Sequence, residues 1–259
     1  MQQQAAVPAL RVEGLGVRYG ALVALDGVEW HVHPGELLGI IGPNGAGKSS
    51  CFEATTAMVP RQGRVFLQGM DVTGVPAYHL ASRGLKRAFQ QNAFFDELSV
   101  LDNMVAVLGA RAHAGLLTSV LAPARAARQR RDAVQLAAGQ LMRFGVPQAY
   151  HALLPKEVPY GVQRMLSIAL AYGDGARVLM LDEPAAGLGG EDMAHLIETL
   201  LALKKEGVAL VVVEHHMDLI MAVADRICVL DQGRPLAMGT PTQIQRDERV
   251  LEAYLGKKQ

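Results

Sequence analysis

The sequence predicts an α/β protein organised around a phosphate-binding loop. The main observation is the stretch GPNGAGKSS at 42–50, which follows the apolar run LLGII and precedes a segment without Pro or Gly. Two more apolar runs, VLML at 178–181 and ALVVV at 209–213, have the length of buried strands and lead directly into acidic residues. A glycine loop between a buried strand and a helix is the arrangement in which proteins bind nucleotide phosphates.

The glycine loop fits the pattern of Gly, four residues, Gly, Lys and then Ser or Thr. Its glycines let the backbone wrap closely around phosphate oxygens, and the N-terminus of the following helix adds a partial positive charge. We expect Lys48 to reach the β- and γ-phosphates and the Ser49 hydroxyl to bind Mg²⁺. The alternative, a glycine-rich turn with a surface lysine, is disfavoured by the flanking strand and helix. The predicted nucleotide-binding residues of the loop are Gly42, Pro43, Asn44, Gly45, Ala46, Gly47, Lys48, Ser49 and Ser50.

Composition narrows the functional class. The chain has 259 residues, half of them hydrophobic, and a formal net charge of zero, so nothing global indicates a nucleic-acid partner. A basic run at 125–131 lacks the interleaved aromatics of a nucleic-acid platform, and we interpret it as a solvated helix face. Cys51 and Cys228 are too few for a disulfide framework, which favours a reducing compartment and a role in the core. No signal peptide or membrane-length apolar run is evident, so we predict a soluble protein that can dock onto a membrane protein.

The first part of the chain is predicted to form strands. Leu10–Val17 and Val28–Val32 have strand character and are separated by Gly-containing turns, which predicts an N-terminal antiparallel β subdomain. Tyr19 lies in the first connection, where an aromatic ring can stack on adenine. His31 and His33 alternate with apolar neighbours, so we interpret them as the polar face of a strand rather than metal ligands.

A helical subdomain is predicted at 96–165, because residues from 99 to about 157 are rich in Ala, Leu, Arg and Gln and are broken by Gly and Pro. Ser99 is suited to cap the first of these helices, with Asp102 at its third position. The nucleotide-binding α/β core is assigned to the flanking ranges 1–95 and 166–259.

Acidic residues follow two of the predicted buried strands. A carboxylate at the C-terminal end of a strand, beside a phosphate loop, is where a Mg²⁺ partner is expected, and Asp182 has this position. Glu183 can activate a water for attack on the γ-phosphate. The later strand leads into Glu214, His215 and His216, and a histidine there can contact the γ-phosphate or the catalytic water. The adjacent histidines are weak evidence for a metal, since consecutive side chains of an extended chain point apart.

In this order, the motifs GPNGAGKSS, DEPAAGL and VEHHMDL resemble those of ABC transporter ATP-binding subunits over nearly the whole chain. The tail, GTPTQIQRDERVLEAYLG, is similar to that of the ATPases of bacterial branched-chain amino-acid importers. The resemblance implies a P-loop NTPase core with an inserted helical signature subdomain. It also implies that Tyr19 stacks on adenine, that Gln90 opens a loop sensing the transmembrane partner, and that His215 is the switch histidine. The implied catalytic residues are Lys48, Gln90, Glu183 and His215, and the implied metal-binding residues are Ser49, Gln90 and Asp182.

The family's signature loop falls on VPYGV at 158–162, and Tyr160 and Gly161 are its expected nucleotide-facing residues. The chain departs from the family here, because Pro159 replaces a Ser or Ala and Val162 replaces a Gln, Glu or Asp. Leu170 also stands where an Arg is common, and Gly189 where an Asp or Asn is usual. In this family two subunits sandwich two ATP molecules, and each signature loop completes the partner's site. The departures therefore predict an asymmetric heterodimer with one strong hydrolytic site.

The resemblance implies an ATP-hydrolysing motor subunit of an amino-acid importer, peripheral to the cytoplasmic face of the bacterial inner membrane. The implied partners are transmembrane permease subunits, a second ATPase subunit and, indirectly, a substrate-binding protein, with no nucleic acid. One alternative keeps the fold but changes the cargo, to urea import or lipopolysaccharide export. Another is an ABC ATPase without a transport role, which the single cassette and zero net charge disfavour.

Overall fold

The computed structural model describes residues 7–88, 93–109 and 123–255. Internal contacts divide the chain into two compact units, one formed by Met1–Gln90 with Ala176–Gln259 and the other by Gln91–Gly175. None of the helices within the described ranges is both long and apolar enough to cross a membrane.

The first unit contains the strands and the helices that flank them. Its strands are β1 (Leu10–Tyr19), β2 (Leu22–Val32), β3 (Leu37–Ile41), β4 (Gln62–Leu67), β5 (Met70–Asp71), β6 (Leu85–Ala88), β7 (Val178–Asp182), β8 (Ala209–Val213), β9 (Arg226–Asp231) and β10 (Arg234–Gly239). The helices of this unit are α1 (Lys48–Thr55), α2 (Ala77–Ser82), α6 (Gly190–Lys205), α7 (Met217–Val223), α8 (Pro241–Gln245) and α9 (Glu248–Leu255). The second unit contains α3 (Val100–Gly109), α4 (Pro123–Arg143) and α5 (Tyr160–Tyr172).

Two sheets build the first unit. The antiparallel sheet has the strand order β2-β1-β4-β5, as predicted for the N-terminal region, and β1 and β2 are longer than their apolar runs indicated. The second sheet has the order β10-β9-β3-β8-β7-β6 and is parallel except for the β9–β10 hairpin. The five residues of β3 are all buried, since this strand lies inside the sheet between β8 and β9. Side chains buried on both faces explain why β3 is a continuous apolar run.

A hydrophobic core cluster joins helix α1 to the antiparallel sheet and to strands β3, β7, β8 and β9 of the second sheet. Phe52 and Cys51 on α1 are fully buried, and the Trp30 indole N–H of β2 donates to the Cys51 sulfur at 3.4 Å. Both cysteines are free and buried, which confirms their interpretation as core residues. Burial raises the pKa of the Cys51 thiol to about 11 and that of the Cys228 thiol to about 12, so neither is a reactive thiolate at neutral pH.

The second unit is helical, and its first helix begins as the sequence predicts. The Ser99 hydroxyl oxygen accepts the Asp102 backbone N–H at 3.0 Å and donates to the Asp102 carboxylate at 2.7 Å. The expected boundary between 165 and 166 falls inside α5, whereas the contacts keep this helix whole in the second unit. The reason is packing, because Tyr172 near the end of α5 contacts the Phe144 ring at a centroid distance of 5.3 Å.

Candidate active site

The phosphate loop joins the C-terminal end of β3 to the N-terminus of α1. Gly47 is the residue before the helix and adopts a left-handed φ of 98°. A Cβ atom at Gly47 would lie 2.6 Å from the Ala24 carbonyl oxygen, so no other residue fits without a shift of the backbone. Because glycine has no side chain to cap the helix, the first backbone N–H groups of α1 are available to an anion.

A hairpin turn supports this loop from the side. Gln232 and Gly233 connect β9 to β10 with φ values of 47° and 78°. The Gly233 N–H donates to the Ala46 carbonyl at 3.1 Å, and the Gly233 carbonyl accepts from the Asp26 N–H at 2.9 Å. The turn therefore links the phosphate loop to β2, a contact that the sequence analysis did not anticipate.

Lys48 is the first residue of α1 and is 9% exposed. Its ammonium group donates to the carbonyls of Gly42 at 2.8 Å and Pro43 at 3.2 Å, both within the loop itself. Burial lowers the pKa of Lys48, and the nearby charge of Glu183 opposes this effect. The ammonium is thus held over the loop, close to where α1 would bind a phosphate.

Asp182 and Glu183 follow each other at the end of β7, as the sequence predicts. Burial, and next the charge of Glu183, raises the pKa of Asp182 to about 6. Glu183 has a positive φ of 46°, which is unusual for a residue with a side chain, and its N–H donates to the Val213 carbonyl at 2.8 Å. Such a conformation is common at functional sites, because the surrounding structure must enforce it.

Glu214 holds two turns of the site together, a role that the sequence analysis did not predict. Its side chain is fully buried, and its carboxylate accepts three backbone N–H groups. These donors are Ala185 at 2.9 Å, His215 at 2.7 Å and His216 at 2.9 Å. The carboxylate therefore fixes the turn after β7 to the turn after β8. A glutamate directly after an uninterrupted buried strand was the available signal.

His215 lies beside both glutamates. Its Nδ1 atom is 3.4 Å from Glu183 Oε1 and 3.6 Å from Glu214 Oε2, and its side chain is half-exposed. The His215 and His216 rings are 4.4 Å apart, so the expectation that the two side chains point apart is wrong. The extended geometry ends with β8, which removes the alternation on which that expectation rested. Possible ligand atoms of Glu214, His215 and His216 lie within 4.8 Å of one another, but the hydrogen bonds to Glu214 argue against a metal there.

An open cleft of about 600 Å³ brings together Tyr19, the phosphate-loop residues from Asn44 to Ser50 and Glu183. The volume is in the range of small-ligand sites in proteins. Tyr19, at the end of β1, is 45% exposed and contributes an aromatic wall. The residues that line the cleft are Tyr19, Leu22, Val23, Ala24, Asn44, Gly45, Ala46, Gly47, Lys48, Ser49, Ser50, Glu183, Gln232 and Gly233. The sequence analysis did not predict the lining residues Leu22, Val23 and Ala24 of β2 or Gln232 and Gly233 of the β9–β10 turn.

Seven expected site residues are not among those that line the cleft. Gly42 and Pro43 follow β3, Asp182 ends β7 and His215 follows β8. Gln90 lies outside the described residues. Tyr160 and Gly161 belong to the second unit, where they form the first turn of α5. Tyr160 is 45% exposed, and its hydroxyl accepts from the Arg164 guanidinium at 3.1 Å. Pro159 occupies the position before the helix and has no side-chain oxygen with which to cap it.

The chain matches two family models. Residues 25–186 match the model described as ABC transporter, and residues 234–258 match the model described as branched-chain amino acid ATP-binding cassette transporter. The second match covers β10, α8 and α9, the elements at the end of the described chain.

Curated relatives cover nearly the whole chain. The high-affinity branched-chain amino acid transport ATP-binding protein LivG of Escherichia coli is 36% identical over 96% of this chain and 98% of its own length. BraF of Pseudomonas aeruginosa, with the same description, is 35% identical over 96% and 98%. The lipopolysaccharide export system ATP-binding protein LptB of Escherichia coli is 30% identical over 96% and 97%.

Solved structures support the same grouping. A nucleotide-free ATP-binding cassette from an ABC transporter superposes with a TM-score of 0.83 at 25% identity, covering 96% of this chain and all of that one. An ATP-binding cassette in its ADP conformation gives a TM-score of 0.81 at 25% identity, covering 96% and 99%. These comparisons confirm the predicted fold class and the family resemblance.

Proposed function

This chain belongs to the ATP-binding subunits of ABC transporters, and from that membership we propose that it powers the import of branched-chain amino acids through a membrane permease. ATP hydrolysis is the activity of the family. The cargo is supported by the tail match at 234–258 and by the greater identity to LivG than to LptB. Lipopolysaccharide export, the process named for LptB, is the second candidate.

The observation that carries the proposed ATP site is the cleft in which the phosphate loop, Tyr19 and Glu183 meet. We propose that the residues from Gly42 to Ser50 bind the phosphates, with the N–H groups of α1 and the Lys48 ammonium directed at the β- and γ-phosphates. Tyr19 would stack on adenine at the open end of the cleft.

The chemistry of the predicted donor residues fits magnesium. Hydroxyl and carboxylate oxygens are the ligands that Mg²⁺ prefers, and the side chains of Ser49 and Asp182 supply them, with Gln90 as a third expected donor. Burial and, next, the adjacent charge of Glu183 raise the pKa of Asp182, and a bound cation would offset both effects. When bound, Mg²⁺ neutralises charge on the phosphate oxygens.

Glu183 is proposed as the general base. Its carboxylate would accept a proton from the water that attacks the γ-phosphate, while Lys48 stabilises the developing negative charge. His215, 3.4 Å from the Glu183 carboxylate, would orient that carboxylate and contact the γ-phosphate. Glu214 would hold His215 in place through the backbone of the turn.

We also propose that the chain works in a heterodimer of two ATPase subunits, docked on permease subunits at the cytoplasmic face of the bacterial inner membrane. A separate substrate-binding protein would deliver the amino acid, and nucleic acid would have no part. The support is the signature stretch, where Pro159 and Val162 weaken the loop that completes a partner's site. The residues that the chain would contribute to its own ATP site, which include Lys48, Asp182 and Glu183, are all present in the sequence.

The cargo is tested by reconstituting the full transporter in vesicles and measuring ATP-dependent uptake of radiolabelled leucine. Glu183→Gln should abolish uptake and ATP turnover while ATP still binds, because only the base is lost. Glu191→Gln, at an exposed position in the first turn of α6, is the matched control and should retain both. ATP turnover that is unaffected by leucine and its binding protein, together with no leucine uptake, would contradict the proposed cargo.

A further inference from the structure

Arg226, the first residue of β9, joins the two sheets of the first unit. Its guanidinium donates to the His31 carbonyl on β2 at 3.0 Å and to the His31 Nε2 atom at 2.9 Å. The guanidinium also lies 3.3 Å from the Glu36 carboxylate, whose side chain is 12% exposed. Because a guanidinium can only donate, the His31 Nε2 atom is an acceptor and carries no proton.

A second link joins β2 to the β9–β10 hairpin. The Gly233 carbonyl, in the turn after β9, accepts from the Asp26 N–H of β2 at 2.9 Å. Asp26 precedes His31 along β2, whereas Gly233 follows Arg226 along the hairpin, so the two links lie at opposite ends of the contact. A strand that is held at two separate points cannot pivot against the other sheet.

The cleft takes its walls from both sheets. Tyr19 and the β2 residues Leu22, Val23 and Ala24 belong to the antiparallel sheet. The phosphate loop follows β3 of the second sheet, and Gly233 in the β9–β10 turn supports it through Ala46. The two links between the sheets therefore fix the distance from the proposed adenine wall to the phosphate loop.

We propose that Arg226 and His31 are positioning residues for nucleotide binding, which hold the adenine wall of β1 and β2 in place over the phosphate loop. The inference rests on the proposed ATP site and extends it to a contact outside the cleft, since neither residue is among those that line it. A site that is already assembled loses less conformational entropy when ATP binds, so the contact favours affinity rather than the chemical step.

Protonation of His31 would break its bond to Arg226, because both groups would then be donors. Burial, and next the charge of Arg226, lowers the pKa of His31 below its ordinary value of 6.5, and the charges of His33 and Arg11 act in the same direction. Arg11 lies opposite His31 on β1, and the charge of Glu36 opposes the shift. A lowered pKa means that the bond is intact at neutral pH and is lost as the pH falls below 6.5 through the pKa of the folded protein.

Two substitutions of His31 in the full chain test this role. His31→Leu removes the ring acceptor, whereas the amide oxygen of His31→Gln can accept from Arg226 and does not titrate. At neutral pH we expect the Kd for a fluorescent ATP analogue to rise about fivefold in His31→Leu, the equivalent of ~1 kcal/mol, and to change less than about twofold in His31→Gln. As the pH falls from about 7.5 to about 5.5, the wild-type Kd should rise about threefold more than that of His31→Gln. Titration of the nucleotide itself affects both proteins equally and does not enter this comparison.

The control is His79→Leu, which makes the same chemical change at an exposed histidine on α2 and should leave the Kd and its pH dependence as in the wild type. A lower melting temperature of His31→Leu with an unchanged Kd would overturn the inference, because the contact would then stabilise the fold without positioning the site. An equal pH dependence of Kd in the wild type and His31→Gln would overturn it as well. Failure of the wild type to bind the analogue would instead contradict the proposed ATP site.

Discussion

At the scale of single residues, two glycines of the phosphate loop share a left-handed backbone but differ in the space available for a side chain. Gly45 and Gly47 both have a positive φ, of 81° and 98°. A Cβ atom at Gly45 would meet nothing within 4 Å, whereas one at Gly47 would lie 2.6 Å from the Ala24 carbonyl oxygen. The same substitution therefore adds only backbone strain at the first position, and strain together with a steric clash at the second.

Alanine substitutions should reveal this difference. Gly45→Ala is expected to lower the free energy of unfolding by about 1–2 kcal/mol, because alanine disfavours the left-handed conformation. Each kcal/mol corresponds to a melting temperature lower by roughly 2–4 °C. Gly47→Ala should lower the melting temperature further and reduce ATP affinity more than about tenfold, because the loop must move away from Ala24. Thermal unfolding and nucleotide titration measure the two effects. Equal losses in both variants would show that the contact with Ala24 does not constrain the loop.

At the scale of elements, one buried carboxylate joins two strand ends. Glu214, which follows β8, holds the turn after β7 through Ala185 and its own turn through His215 and His216. A carboxylate can accept all three N–H groups, whereas an amide offers one oxygen and an NH₂ group that repels a donor.

Glu214→Gln is therefore expected to cost about 2 kcal/mol, a melting temperature lower by about 4–8 °C, since buried N–H groups lose their acceptor. Turnover should fall as well, because His215 and Glu183 lose a common support. Glu198→Gln on the exposed side of α6 is the control and should change neither quantity. Circular dichroism melts and ATP turnover in the complete transporter would detect both changes. A variant as stable as the wild type would mean that the three hydrogen bonds contribute no net stability.

The sequence predicted those elements whose signals are local. The loop at 42–50, the buried strands β3, β7 and β8 and the cap at Ser99 each depend on a few adjacent residues, and the structure has them where they were expected. Contacts between distant parts of the chain left no such signal. The support of Ala46 by Gly233 depends on strand order, which periodicity does not specify.

At the scale of the whole molecule, the proposed pairing of two ATPase subunits would depend on the start of α5. Pro159 precedes this helix with φ −55° and ψ 150°, a conformation that serine also adopts, so a serine there could cap the helix without a change of backbone. Val162 has no polar group to offer a phosphate. A homodimer would therefore lack side-chain groups at this loop, while the backbone conformation would already be suitable. Substitutions that supply these groups should restore pairing.

Pairing is best measured in the Glu183→Gln background, where bound ATP is not consumed. We expect that variant to stay monomeric with ATP by light scattering, and to become a dimer when Pro159→Ser and Val162→Gln are added. Pro147→Ser is the matched control, because Pro147 precedes a short 3-10 helix of the same unit with φ −59° and ψ 145°. Added to Glu183→Gln, this substitution should leave the molecular mass in solution unchanged. A stable dimer of Glu183→Gln alone would show that the chain pairs with itself despite Pro159, and the proposed asymmetric heterodimer would then be wrong.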